Sequence, residues 1–147
     1  MGRYILPFIF SVLVDISPFG VRYHPILDQL TYKDHLTVQF IGSSILLSPM
    51  DGKIVEIKND SSSYSRKTVI SLQNRENSQM TVSLSSIFDS LYVKPNEMVN
   101  RGDSLAVLSN YTDSTYFLGI RTDIFETPVD PTQYFPALDY IKFILAE

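Results

Sequence analysis

The stretch "LLSPMDGKIVEI", residues 46–57, indicates the fold class most directly. The pair Asp51–Gly52 is a strong tight-turn signal, and β-forming residues stand on both sides of it. After the turn, one face of a strand is expected to carry Ile54, Glu56 and Lys58 and the other Val55 and Ile57, because successive side chains alternate. The stretch therefore predicts a β-hairpin that closes at residues 51 and 52.

Short β-rich runs and turn signals alternate along the rest of the chain in the same way. Pro95–Asn96 and the Arg-Gly-Asp triplet at 101–103 are further turn signals, and polar loops fall at 59–66 and 74–79. The pattern predicts a mostly antiparallel β-sheet or β-sandwich. Strands are expected near residues 6–14, 45–58, 67–73, 80–84, 104–108 and 116–121.

Composition limits the classes of protein that remain. The 147-residue chain is 44% hydrophobic and 19% charged, which suits one globular domain, and we expect a single domain over 1–147 with its core in about 8–135. The formal net charge is −4, so the positive surface that attracts phosphate backbones is missing and no nucleic-acid partner is expected. The chain has no cysteine, which excludes disulfides and thiolate metal ligands.

The two ends of the chain are apolar. The run 4–14 is 11 residues long, whereas a helix that crosses a bilayer needs roughly 20. Its β-branched and aromatic residues predict a buried strand, and a remnant of a secretion signal is the alternative.

The C-terminal segment 137–147 differs in kind from the rest. Leu138, Ile141 and Leu145 recur at helical spacing, which predicts a short helix. The opposite side of this helix is apolar as well. The tail therefore either packs on the sheet or offers a face for self-association or for docking of a partner.

Four segments in register resemble the LytM-type M23 zinc metallopeptidase domain, the lysostaphin-like peptidoglycan hydrolase module. They are "SPFGVRYHPI" at 17–26, "LLSPMDGKIVEI" at 46–57, "LYVKPNEMVNRGDSLAVLSN" at 91–110 and "TPVDPTQYF" at 127–135. Each segment alone is a weak signal, but their order and spacing match over nearly the whole chain. The resemblance implies the LytM β-sheet fold, built on a duplicated hybrid motif, with a substrate groove.

The same resemblance implies where a zinc site would lie. In that family a His, an Asp four residues later and the second His of a His-x-His pair bind zinc, and two further His residues act on the attacked amide. These five positions fall on Lys33, Thr37, Gly119, Phe117 and Ser83. All five residue types are replaced.

The histidine count gives the same result without an alignment. Such a site needs at least four imidazoles, and the chain has only His24 and His35. The residue four positions after His35 is Gln39, which is not a carboxylate, and an ammonium at position 33 would repel a bound dication. We therefore expect no metal, no cofactor and no catalytic residue.

The string that contains His24 is expected to be structural. In the resembling family the His of His-Pro lies in the turn before the site, so His24 is interpreted as a ring hydrogen-bonded near Pro25. Arg22 is expected to be a residue of the turn or sheet edge. Gly20 is expected to satisfy a backbone requirement.

The positions around the former zinc site define a predicted vestigial groove. Phe117 either contacts a partner there or fills the space that the zinc site vacated. The groove set is Lys33, Thr37, Gln73, Ser83, Tyr116, Phe117, Gly119 and Arg121.

The resemblance and the replaced positions together indicate a pseudoenzyme. We expect a non-catalytic domain of the bacterial cell envelope that binds another protein or peptidoglycan through the vestigial groove or the tail. The resemblance places it outside the cytoplasm, with a membrane tether in a longer precursor as one option. The alternative is an active cell-wall hydrolase that uses an atypical site or one completed by a partner.

Overall fold

The computed structural model describes residues 12–17, 20–24, 29–41, 44–59, 67–109 and 115–131, and these ranges contain thirteen strands. The strands are β1 (Val12–Ser17), β2 (Gly20–His24), β3 (Gln29–Lys33), β4 (Leu36–Ile41), β5 (Ile45–Leu47), β6 (Gly52–Asn59), β7 (Thr68–Asn74), β8 (Met80–Ser86), β9 (Phe88–Leu91), β10 (Met98–Val99), β11 (Ser104–Leu108), β12 (Thr115–Ile124) and β13 (Thr127–Val129). Within these ranges there is no apolar helix of membrane-spanning length.

The strands form three antiparallel sheets. An eight-stranded sheet has the order β1-β4-β12-β8-β7-β6-β10, with β13 paired to β12. A three-stranded sheet has the order β5-β11-β9, and β2 pairs with β3. The prediction of a mostly antiparallel β fold is confirmed, whereas the predicted helix at 137–147 lies outside the described residues.

Alternation along the central strands separates a core face from an outer face. In β8, Val82 and Leu84 are fully buried, while Ser83 between them is only partly buried. Leu46 and Leu105 of the three-stranded sheet join the same apolar cluster. The core therefore lies between the two larger sheets, and the outer face of the eight-stranded sheet carries the polar residues.

The prediction that Asp51–Gly52 closes a hairpin is wrong. Strand β5 pairs with β11 in the small sheet, and β6 pairs with β7 and β10 in the large one, so the turn carries the chain from one sheet to the other. The polar groups of Asp51 bond to other segments: Arg75 N donates to its carbonyl oxygen (3.1 Å) and Arg101 N to its Oδ1 (2.6 Å).

The predicted alternation along β6 also needs correction. A β-bulge interrupts the register between Ile54 and Glu56, which pair with Leu72 and Ser71. Because a bulge inserts one residue, it reverses the faces beyond it. Ile54 is fully buried and Ile57 packs against the core, while Glu56 lies on the outer face.

The segment 48–51 is bonded to the turn at 101–103. Ser48 N donates to Asp103 O and Gly102 N donates to Ser48 O, both at 2.8 Å. Gly102 has φ 92°, which suits a residue without a side chain. The predicted turn is confirmed, and it joins β10 of the large sheet to β11 of the small one.

The predictions near the N-terminus are tested in part. Strand β1 includes residues 12–14 of the expected strand at 6–14, and the earlier residues lie outside the described ranges. The backbone requirement at Gly20 is confirmed by its φ of 113°. His24 ends β2, and its side chain lies outside what the structure describes.

We expect Gly52→Ala to destabilise the protein. A Cβ at position 52 would lie 2.5 Å from the backbone oxygen of Gln73, so one of two paired strands must move. The free energy of unfolding should fall by about 1 to 3 kcal/mol, the usual cost of overpacking. Denaturant unfolding measures this, with Lys58→Ala on the exposed part of β6 as control; equal midpoints for the two variants would contradict the contact.

Candidate functional site

Polar residues of four neighbouring strands meet on the outer face of the large sheet. Cross-strand pairing sets them in rows, because directly paired residues share a face. The rows are Thr37–Gly119–Ser85, Arg121–Ser83–Ser71 and Asp123–Thr81–Gln73. The central strands β4, β12, β8 and β7 therefore build the floor of the site.

The structure brings together the three positions that the resemblance assigns to zinc ligands. Lys33 Nζ donates a hydrogen bond to Thr37 Oγ1 at 3.0 Å, and Thr37 pairs directly with Gly119. A Cβ built on Gly119 would collide with Ser85 Oγ and would contact the ring of His35 at 3.7 Å. The space for a ligand side chain at position 119 is thus filled by Ser85.

A charged network lies beside these positions. His35 Nδ1 and Asp34 Oδ1 are 2.9 Å apart, and Arg121 Nη1 donates to Asp34 Oδ2 at 3.0 Å. Arg121 Nε donates to both carboxylate oxygens of Asp123 at 3.1 Å. The hydrogen bond with His35 and the positive charge of Arg121 lower the pKa of Asp34, against the opposing effect of burial.

Two neighbouring concavities occupy this face. One of about 360 Å³ is lined by the charged network together with Lys67, Val69 and Ser85, and one of about 690 Å³ extends toward β6 and β13. Both are lined by Ser83, Arg121 and Asp123. The two concavities, which share these lining residues, are together called the groove.

Gln73 and Ser83 both contribute to the groove. Gln73 lies at its far end and donates from Nε2 to Ser78 O at 2.8 Å, which holds the turn between β7 and β8. Ser83 Oγ lies 3.1 Å from Ser71 Oγ at the middle of the floor.

The two aromatic residues of the predicted groove lie on opposite faces. Phe117 is on the outer face, is only 9% exposed, and has Lys67 Nζ at 5.5 Å from its ring centroid. Tyr116 instead packs on the core, with its ring centroid 5.8 Å from that of Phe40. Its inclusion in the groove set is therefore corrected, because neighbouring residues of a strand point in opposite directions.

Sequence reasoning missed Asp34, Ser85 and Asp123, and gave His35 no role. Asp34 and Arg121 are 87 residues apart, so only the strand register brings them together. Gly119 pairs with Thr37 of β4 on one side and with Ser85 of β8 on the other, so the pairing of β12 with β8 places Ser85 next to Gly119. The order of β4, β12 and β8 was the missing information.

Comparisons with known proteins identify the class of fold. No family model matches the sequence, and no curated protein matches it. Among solved structures, Helicobacter pylori Csd3 matches with TM-score 0.68 and 16% identity over 90% of this chain and 34% of that one.

Two further solved structures match over most of both chains. A variant of the catalytic domain of the prophage-encoded M23 protein EnpA from Enterococcus faecalis matches with TM-score 0.60 and 12% identity, over 88% of this chain and 96% of that one. The SpoIIQ–SpoIIIAH pore-forming complex matches with TM-score 0.62 and 8% identity over 90% of each chain. The chain therefore has the LytM-type fold of M23 peptidase domains.

The described residues do not fit the zinc ion that this fold holds in its peptidases. None of the ranges that the structure covers contains three or more His, Cys, Asp or Glu side chains placed to bind a metal. Lys33 provides an ammonium, Thr37 a hydroxyl, and Gly119 no side chain. No metal-dependent step is assigned to this groove.

We expect Phe117→Ala to show whether this ring is a packing residue. Its ring is nearly buried, so truncation should lower the free energy of unfolding by about 3 to 5 kcal/mol. Thermal or denaturant unfolding measures this, with Tyr92→Ala as an exposed aromatic control. An unchanged midpoint would instead assign Phe117 to contact with a partner.

The charged network predicts a pH dependence of stability. Because folding lowers the pKa of Asp34, its carboxylate contributes stability above the ordinary value of 3.8 and loses that contribution as pH falls through the lowered value. The loss of melting temperature between neutral and acidic pH should therefore be smaller in Asp34→Asn than in the wild type. Asp89 is an exposed residue of β9, so Asp89→Asn controls for the change in net charge. Identical pH profiles of the wild type and Asp34→Asn would contradict the stabilising role of Asp34.

Proposed function

We propose that this chain is a non-catalytic M23-like domain of the cell envelope that binds a partner protein or peptidoglycan through the groove. The observation that carries the proposal is the contact between Lys33 and Thr37, together with the side chain of Ser85 beside Gly119. Polar contacts within the protein occupy the positions where a peptidase of this fold needs metal ligands.

The groove offers suitable chemistry for an extended ligand. Its floor presents the hydroxyl groups of Ser71 and Ser83 and the half-exposed groups of Arg121 and Asp34, which accept and donate hydrogen bonds. A binding role requires such directed polar groups but no activated water. The groove could therefore hold a strand-like segment without cleaving it.

The comparisons support a role in assembly. The SpoIIQ–SpoIIIAH complex is described as pore-forming, and a chain of it has this fold over 90% of its length. That likeness shows that the fold occurs in complexes between proteins. We extend it to this chain as a proposal, together with an extracytoplasmic location. Docking or self-association through 137–147 stays a prediction.

Blocking the groove tests the proposal. Ser83 lines both concavities, so Ser83→Trp should fill the groove, while Ser90→Trp places the same ring on exposed β9. We expect binding to purified sacculi or to envelope fractions to fall at least about tenfold for Ser83→Trp, a change equivalent to about 1.4 kcal/mol. The Ser90→Trp variant should bind like wild type.

Two outcomes would count against this function. Equal binding by both tryptophan variants would exclude the groove as the binding surface. Release of soluble fragments from sacculi by the wild type, but not by Ser83→Trp, would instead establish the alternative of an active hydrolase with an atypical site.

A further inference from the structure

The turn between β12 and β13 places an exposed aromatic ring at one end of the groove. Phe125 is 72% exposed, and both Phe125 and Glu126 have positive φ, 52° and 65°. Phe125 N donates to Gln79 O at 2.9 Å, which ties this turn to the one between β7 and β8. The ring therefore stands on a turn that is fixed at both its strands and its tip.

An apolar side chain of a second strand lines the same end. Val55, in the bulge of β6, is 41% exposed and lines the 690 Å³ concavity together with Phe125. Two apolar groups thus border a concavity whose other lining residues carry hydroxyl, amide or charged groups. Such a pair suits the methylene stem of a long side chain.

The charges at this end are mostly negative. Glu56 and Glu126 line the concavity, and no ion pair is found for either within the residues that the structure describes. The cation among the lining residues is Arg121, which already bonds to Asp34 and Asp123. The groove end therefore combines an aromatic face, an aliphatic contact and two carboxylates outside the charged network.

We propose that this end of the groove binds a basic side chain, Lys or Arg, of a partner polypeptide. The proposal rests on the proposed function, because it specifies which ligand the groove takes. The cation would lie over the face of Phe125, near the carboxylates of Glu56 and Glu126, with its stem against Val55. The rest of an extended segment would run along the groove toward Ser83.

Charge complementarity favours a basic polypeptide over an uncharged one. The chain as a whole has a net charge of −4, so long-range attraction acts in the same direction as the groove end. A cation also gains electrostatic attraction from the face of an aromatic ring, whereas a carboxylate is repelled by that face and an aliphatic side chain gains only burial.

A peptide titration followed by NMR tests this assignment. The probe is the acetylated and amidated peptide Ala-Ala-Lys-Ala-Ala, compared with peptides that carry norleucine or Glu at the central position. We expect the Lys peptide to shift the backbone amide signals of Val55, Gln79 and Phe125, and the other two to bind more weakly. Phe125→Ala should weaken binding of the Lys peptide by roughly two- to fivefold. Glu126→Gln alone should also weaken binding of this peptide, and more strongly at low salt than at high salt.

Two matched variants serve as controls. Tyr92→Ala removes another exposed aromatic ring, which does not line the groove, and Glu97→Gln removes an exposed carboxylate beside a different turn. Both should bind the Lys peptide like wild type.

The outcomes separate this inference from the proposed function. Equal binding of the Lys and norleucine peptides, or unchanged binding by Phe125→Ala, would overturn the basic-side-chain site. Groove signals that shift equally with all three peptides would overturn it as well, yet leave a binding groove in place.

Discussion

The passage of the chain from the small sheet to the large one is the constraint on which the rest of the structure depends. At this point Ser48 and Gly102 bond through their backbones, and Gly52 passes so close to Gln73 that a side chain has no room. The passage places β6 beside β7, and its Met50 is part of the core cluster. Because β6 also forms one wall of the groove, the same constraint shapes the surface proposed to bind a partner.

Polar contacts within the protein organise the groove and the neighbouring positions that the resemblance assigns to metal ligands. Lys33 bonds to Thr37, and Arg121 joins two carboxylates that come from β12 itself and from the bend before β4. The positive charges of this region are therefore those of the Lys33 and Arg121 side chains. This arrangement accounts for an intact fold around positions that cannot bind zinc.

Much of the fold could be predicted from the sequence, because alternation and turn residues are local signals. The sheet assignment of β5 and β6 could not, since Asp51–Gly52 has the same local chemistry in a hairpin and in a passage between sheets. The bulge after Ile54 reversed the faces of β6, and no residue in the stretch signals it. Of the site, the resemblance indicated Gln73, Ser83 and Arg121, which line the groove, whereas the position of Asp34 beside Arg121 depends on strand order alone.

Zinc content combined with chelator sensitivity tests the central claim most directly, since the claim is that internal contacts replace the metal site. Elemental analysis of the purified protein should find well under one zinc per chain, and a chelator should leave the melting temperature unchanged. Lys33, Thr37 and Gly119 provide no ligand set for the ion. One zinc per chain, with a lower melting temperature after chelation, would contradict the account.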